Sequence, residues 1–224
     1  MKPLFWLLPK VIALTIAVTA WITPANADVQ PFLDIYTQPG PEVFSAVDVG
    51  METLPLLLSD TTHAQELGFT DAEQGPKAKV TKTPFVVFQV GLDQLQAWNG
   101  SNPRALLKFA NKLLFPIYVG APVKVKSSLT VRFFEKDKVW KVGQWGSSAL
   151  IQDLVSKRTT IAPKGFLVTV PGLNRNYFGY LSGVQLILIP LETDRSFAAG
   201  TQVPAAKVFN SLSTEAKSAD GSPR

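Results

Sequence analysis

The chain has 224 residues, with 22 Lys and Arg against 17 Asp and Glu, one His and no Cys. That composition excludes a disulfide framework, a thiolate nucleophile and multi-histidine or thiolate metal sites. The net charge of +5, which becomes +3 once Lys2 and Lys10 are set aside with the N-terminal segment 1–27, is too mild to imply a nucleic-acid partner.

The N-terminus follows the export pattern of a positive start, an apolar run and a small-residue exit. Lys2 and Lys10 supply the charge, Val11 to Ile22 the apolar run, and Ala25-Asn26-Ala27 the small-x-small exit. Residues 1–27 are therefore expected to be a signal peptide cleaved near Ala27, which places the product in a bacterial periplasm or outside the cell. Pro9 and Lys10 interrupt the stretch from Leu4 to Ile22, whereas a membrane anchor needs about 20 predominantly apolar residues. No Cys follows the exit and no Arg-Arg pair precedes the run, so lipid attachment and twin-arginine export are not expected.

Residues 28–41 read as an irregular arm rich in Pro, Gln and Gly, followed by one α+β domain over 42–217 and a disordered tail over 218–224. From Glu42 to Gly68, Val43, Phe44, Val47, Met51, Leu54 and Leu58 recur at helical spacing. Pro55 within that run predicts two short helices. Thr70 and Glu73 have capping-box spacing, but Gly75 and Pro76 limit them to one turn. Thr83 to Val90 is dense in β-branched and aromatic residues and predicts a strand buried on both faces. Asn102-Pro103 reads as an N-cap opening a short helix through Ala110, with Leu113 to Val119 as a further strand.

A hairpin is the clearest local structure. Val123 to Phe134 and Val139 to Trp145 flank the polar loop 135–138, which pairs Phe134 with Val139, Phe133 with Trp140, Arg132 with Lys141 and Val131 with Val142. One face then carries apolar side chains, and the other carries Lys124, Lys126, Arg132 and Lys141. Ser147 precedes an apolar stripe from Leu150 to Val155 that predicts a helix closing on Lys157 and Arg158. Phe166 to Val170 and Val184 to Leu191 read as strands separated by an aromatic loop, Asn174 to Tyr180, and a final helix is expected from Pro204 to about Ala216. Phe85-Val86-Val87 leading to Gly91-Leu92 is echoed by Phe166-Leu167-Val168 leading to Gly172-Leu173, which would imply a pseudo-symmetric sheet.

The order of elements predicts an α+β fold: a single domain with a mainly antiparallel meander packed on one side by N-terminal, crossing and C-terminal helices. In outline it resembles the cystatin-like arrangement, a resemblance of element order that implies no function. No phosphate loop, dinucleotide fingerprint, HExxH or calcium loop occurs, so no cofactor or metal is expected.

Catalytic residues are not expected either. His63 lies three residues from Asp60 and from Glu66, close enough for a carboxylate to orient it, but a helix histidine with charged neighbours explains it as well. Ser147 and Ser148 are explained by capping. The acid pairs Asp71 with Glu73, Glu135 with Asp137 and Glu192 with Asp194 read as turns, because glycosidase-type work needs convergence that sequence does not specify.

The directly opposed cations Arg132 and Lys141 are the one feature that local rules leave unexplained. An acid such as Asp153 or Glu192 could offset them, or an anionic partner could. The expected ligand-binding residues are therefore Lys124, Lys126, Arg132 and Lys141, together with Arg175, Tyr177 and Tyr180 of the aromatic segment. The expected function is a non-catalytic binding or interaction module engaging an anionic envelope component or a protein. A hydrolase using His63, or an assembly protein docking by a sheet edge, are the alternatives.

Overall fold

The computed structural model describes residues 39–69, 72–120, 124–146 and 148–220. The expected signal peptide, most of the arm, Thr70, Asp71, Val123, Ser147 and residues 221–224 lie outside them. Among the described residues, five α-helices are present: α1 (Pro41–Leu58), α2 (Thr61–Glu66), α3 (Leu92–Gln96), α4 (Ser148–Thr160) and α5 (Ala205–Asp220). Nine strands form one sheet: β1 (Lys79–Val80), β2 (Phe85–Gln89), β3 (Lys108–Val119), β4 (Lys124–Phe134), β5 (Val139–Gly146), β6 (Phe166–Val170), β7 (Arg175–Ser182), β8 (Gln185–Pro190) and β9 (Val203–Pro204). The class is α+β with a mostly antiparallel sheet.

Strand order is β5-β4-β3-β2-β6-β7-β8-β9, with β1 paired to β3, and the only parallel neighbours among the described residues are β2 and β6. The order is mirrored about that central pair. Each half begins with an apolar strand and steps outward through antiparallel partners, and β6 repeats β2 position for position, with Phe166 standing for Phe85. A half-turn about an axis along the strands between β2 and β6, with a slide of one residue, would bring β2 onto β6 and exchange the two faces of the sheet. The side chains follow that exchange: Phe85 and Val87 lie in the smaller core cluster and Phe166 and Val168 in the larger, whereas Val86 and Leu167 are disposed the other way.

Both faces are consequently covered, against the expectation of helices on one side. The larger core gathers α1, α3 and α5 through Val43, Val47, Leu54, Leu95, Val208 and Phe209. The smaller lies under α4, whose Ile151 and Leu154 meet Phe85, Val87, Leu114, Leu167 and Phe178. A two-sided sheet explains why β2 and β6 read as unbroken apolar runs rather than alternating ones. At the C-terminal end of α4, Arg158 donates to the carbonyls of Thr83 at 3.1 Å, Pro84 at 2.7 Å and Gly165 at 3.3 Å, while its guanidinium stacks on Phe85. Burial lowers its pKa to about 10.

Several local expectations change. Helix α1 runs through Pro55 as one element, because buried Leu54 and Leu58 on either side hold it to the sheet. The break comes at Asp60, whose carboxylate accepts from the backbone N–H groups of Thr62 and His63 and starts α2. Gly50 lets α1 lie close on β4, since a Cβ there would stand 2.6 Å from Leu129. The stretch after Asn102 is a single 3-10 turn, Pro103–Leu106, and β3 starts at Lys108, so the expected helix through Ala110 is absent. The aromatic segment from Asn174 is not a loop but strand β7, with Tyr177 and Phe178 buried on opposite faces. Helix α5 continues to Asp220, into the expected tail.

Candidate functional site

The two halves differ where β2 and β6 end. After β2 the chain runs through residues 90–107 before β3, and the first part forms α3 with Leu95 fully buried on the larger core. After β6 only residues 171–174 precede β7: a single turn, Pro171–Leu173, stopped by Asn174 at φ 51°. The second half therefore has no counterpart of α3. Where that helix would lie, beside Leu150 in the first turn of α4, the sheet carries an open groove of about 490 Å³.

Its floor has changed chemistry to match. On the face that holds α3, β2 and β6 present Phe88 and Val170, both fully buried in the larger core with Leu95. Their counterparts in the internal echo, Thr169 and Gln89, line the groove. Deeper in, Val87, Leu114 and Leu167 form an apolar base shared with the core under α4.

One wall is cationic. Lys112 of β3 opposes Arg132 of β4, and Arg132 opposes Lys141 of β5, giving three cations in a cross-strand row. Lys112 and Arg132 line the groove, and among the described residues no Asp or Glu does. Phe134 lies beside Arg132 and Lys141, its ring centre 5.6 Å from the Arg132 guanidinium carbon and 5.3 Å from Lys141 Nζ. Lys141 is paired with Asp137 at 2.8 Å, and its side chain is 52% exposed. Among the described residues, Lys112 and Arg132 have no ion-pair partner. The polar rim adds Gln144, Asn174 and Asn176. Together with Gln89, their side-chain amides have no hydrogen-bond partner among the described residues.

The sequence-predicted residues separate. The hairpin register from Phe134 with Val139 to Val131 with Val142 is as expected, so Arg132 and Lys141 do face each other. Lys124 does not join them. Between Tyr118 and Ile117 the pairing of β3 with β4 shifts, so that Val125 opposes Tyr118, Ser127 opposes Ile117, and Lys126 is the extra residue. Such an insertion reverses the alternation, which turns Val125 toward the smaller core and sets Lys124 opposite buried Val119 on the other face. The expected basic face thus keeps only Arg132 and Lys141, extended by Lys112, which the sequence reading did not include.

Arg175 reaches the groove rim, but its Nη2 donates to Glu215 Oε1 at 3.2 Å on α5. Tyr177 is buried on the opposite face and donates to Asp194 Oδ2 at 3.4 Å. Burial, reinforced by Asp194, pushes its phenol well above the usual range. Tyr180 donates to Gln202 at 2.7 Å, away from the groove lining.

The other candidates have local roles. His63 is exposed, with Nδ1 3.5 Å from Asp60 Oδ2. The backbone N–H groups of Thr62 and His63 hold the Asp60 carboxyl below its usual value. Asp153 pairs with Lys157 instead of answering Arg132 and Lys141. Glu135 pairs with Lys138 at 3.2 Å, and Asp194 accepts from the backbone of Ser196 and Phe197. Among the described residues, no group of three metal-ligating side chains occurs, and no helix is long and apolar enough to cross a membrane.

Comparison with protein-family models, curated proteins and solved structures finds no match.

Proposed function

We propose that the chain is exported to the bacterial envelope and acts there as a non-catalytic binding protein, with the groove between β3, β4 and the ends of β2 and β6 as its site for an anionic ligand. The observation that supports this is a concave lining with Lys112 and Arg132 side by side and, among the described residues, no carboxylate. Two directly opposed like charges cost roughly 0.2–1 kcal/mol. A bound anion would offset that cost while gaining charge-assisted hydrogen bonds. The volume of about 490 Å³ is within the ordinary range for small-ligand clefts. A hydrolytic role for His63 lacks comparable support: among the described residues its side chain meets only Asp60, and no hydroxyl hydrogen-bonds to it.

The test is an NMR titration of the isotope-labelled chain with inorganic phosphate. Amide shifts should concentrate at Lys112, Arg132 and Thr169, and the double substitution Lys112→Gln with Arg132→Gln should weaken binding at least tenfold. Shifts that cluster elsewhere, or that persist in the double variant, would remove the groove as the site. Export is checked separately by expressing the full chain in a bacterium and measuring the mass of the recovered product. A product that retains the segment 1–27 in the membrane fraction would refute cleavage.

A further inference from the structure

We infer that the groove takes a hydroxyl-rich anion of the acidic-carbohydrate class, such as a uronic acid unit, in preference to a bare anion or an alkyl acid. The inference rests on the binding role proposed above and concerns what surrounds the charge.

Three observations point the same way. First, Gln89, Gln144, Asn174 and Asn176 converge on the groove from β2, β5, the turn after β6, and β7, with no partner for their amides among the described residues. An amide offers two donors and an acceptor, a combination that matches a hydroxyl, itself donor and acceptor. A carboxylate only accepts and a phosphate at neutral pH brings just one or two donors, so Lys112 and Arg132 would serve either and leave most acceptor oxygens of the four amides idle.

Second, the floor has been made polar at the two positions where the other half of the molecule is most apolar. Phe88 and Val170 are fully buried in the larger core, to which Leu95 of α3 also belongs, whereas Thr169 and Gln89 stand at the equivalent points of the groove. A groove meant for an aliphatic chain or an apolar helix would have kept the hydrophobic pair. An alkyl chain laid there would strip water from amides without replacing their hydrogen bonds, a loss that exceeds what a methylene gains by burial.

Third, the rim carries an aromatic surface, the Phe134 ring beside Arg132 and Lys141, with Ala110, Val142, Leu150 and Pro171 as the smaller or aliphatic groups around the opening. It suits the C–H face of a sugar ring whose carboxylate is held by the cations at its edge. The deeper apolar groups are nearly closed off: Val87, Leu114 and Leu167 are each 6% exposed or less.

Binding of four small probes to the full chain, followed by NMR titration, distinguishes the possibilities: D-glucuronate, hexanoate with the same charge and carbon number but no hydroxyls, neutral D-glucose, and inorganic phosphate. Glucuronate should bind at least tenfold more tightly than each of the other three. Substituting Gln89→Leu and Asn176→Leu should erase that advantage over hexanoate without lowering Tm, since both side chains border the open groove. If hexanoate or phosphate binds as tightly as glucuronate, the carbohydrate inference is overturned while the anion site stands. If none of the four binds at millimolar concentration, both fall.

Discussion

Neutralising Lys112 should make the protein more stable while it weakens the proposed site. Lys112 stands opposite Arg132, which has Lys141 on its other side. Lys141 is partly answered by Asp137 at 2.8 Å, so the uncompensated repulsion falls between Lys112 and Arg132. The Arg132 contact with the Phe134 ring is left intact by a change at Lys112. Lys112→Gln thus removes one directly opposed like pair, worth roughly 0.2–1 kcal/mol, and no attractive ion pair among the described residues. For a chain of this size, each kcal/mol moves Tm by about 2–4 °C, so an upward shift of about 0.4–4 °C is expected. Because the effect is electrostatic and partly exposed to solvent, it should fade in salt, where the screening length falls from about 10 Å at 0.1 M to about 3 Å at 1 M. Thermal melts of the parent chain and the variant at low salt and at about 1 M salt provide the assay. A lowered Tm at low salt, or a gain that persists unchanged at high salt, would refute the idea that this wall is held under like-charge strain.

Two further outcomes follow from buried groups. Arg158→Met should cost about 2–4 kcal/mol in denaturant unfolding, because the carbonyls of Pro84 and Gly165 lose a charged donor while remaining partly screened from water, that of Thr83 being exposed; a change below about 0.5 kcal/mol would mean that water replaces the guanidinium freely. Tyr177 has its folded pKa raised by burial, so above about pH 10 the unfolded chain releases a proton that the folded chain keeps, and stability falls as pH rises further. Melts between about pH 9 and 11 should show that decline, and Tyr177→Phe should flatten it; an equally steep decline in the variant would assign the effect elsewhere.

Elements with local causes could be read from the sequence. The hairpin from β4 to β5 was legible because its loop is polar and its strands alternate, and α4 because its apolar stripe and terminal cations coincide. The internal echo was visible in Phe85-Val86-Val87 and Phe166-Leu167-Val168, but its meaning depends on which face each residue occupies, and a strand apolar on both sides conceals that. The basic face was half legible. Arg132 and Lys141 are fixed by the turn, whereas Lys124 is displaced by an insertion in the pairing with β3, a register that no local pattern sets. Lys112 and Gln89 are inconspicuous in the sequence: Gln89 ends an apolar strand and Lys112 lies in the more polar first half of β3, where a solvated side chain is the ordinary reading. What could have drawn attention to the groove is a comparison of lengths: the whole stretch 90–107 separates β2 from β3, but only the short turn 171–174 separates β6 from β7.

The central parallel pair also governs how the chain can reach this structure. Val87 lies opposite Leu167 in the register of β2 with β6, so closing that contact means bringing together positions with the β3-β4-β5 meander and α4 between them. The hairpins on either side need only short loops and can form while the middle of the sheet is open. Closing the long connection costs chain entropy before any contact repays it, so the two halves meet late. Until they do, β2 and β6 each expose an unpaired apolar edge. Under the proposed export, in which the chain crosses a membrane unfolded and folds afterwards, that interval is when a chaperone or a strand of another copy would find its opening.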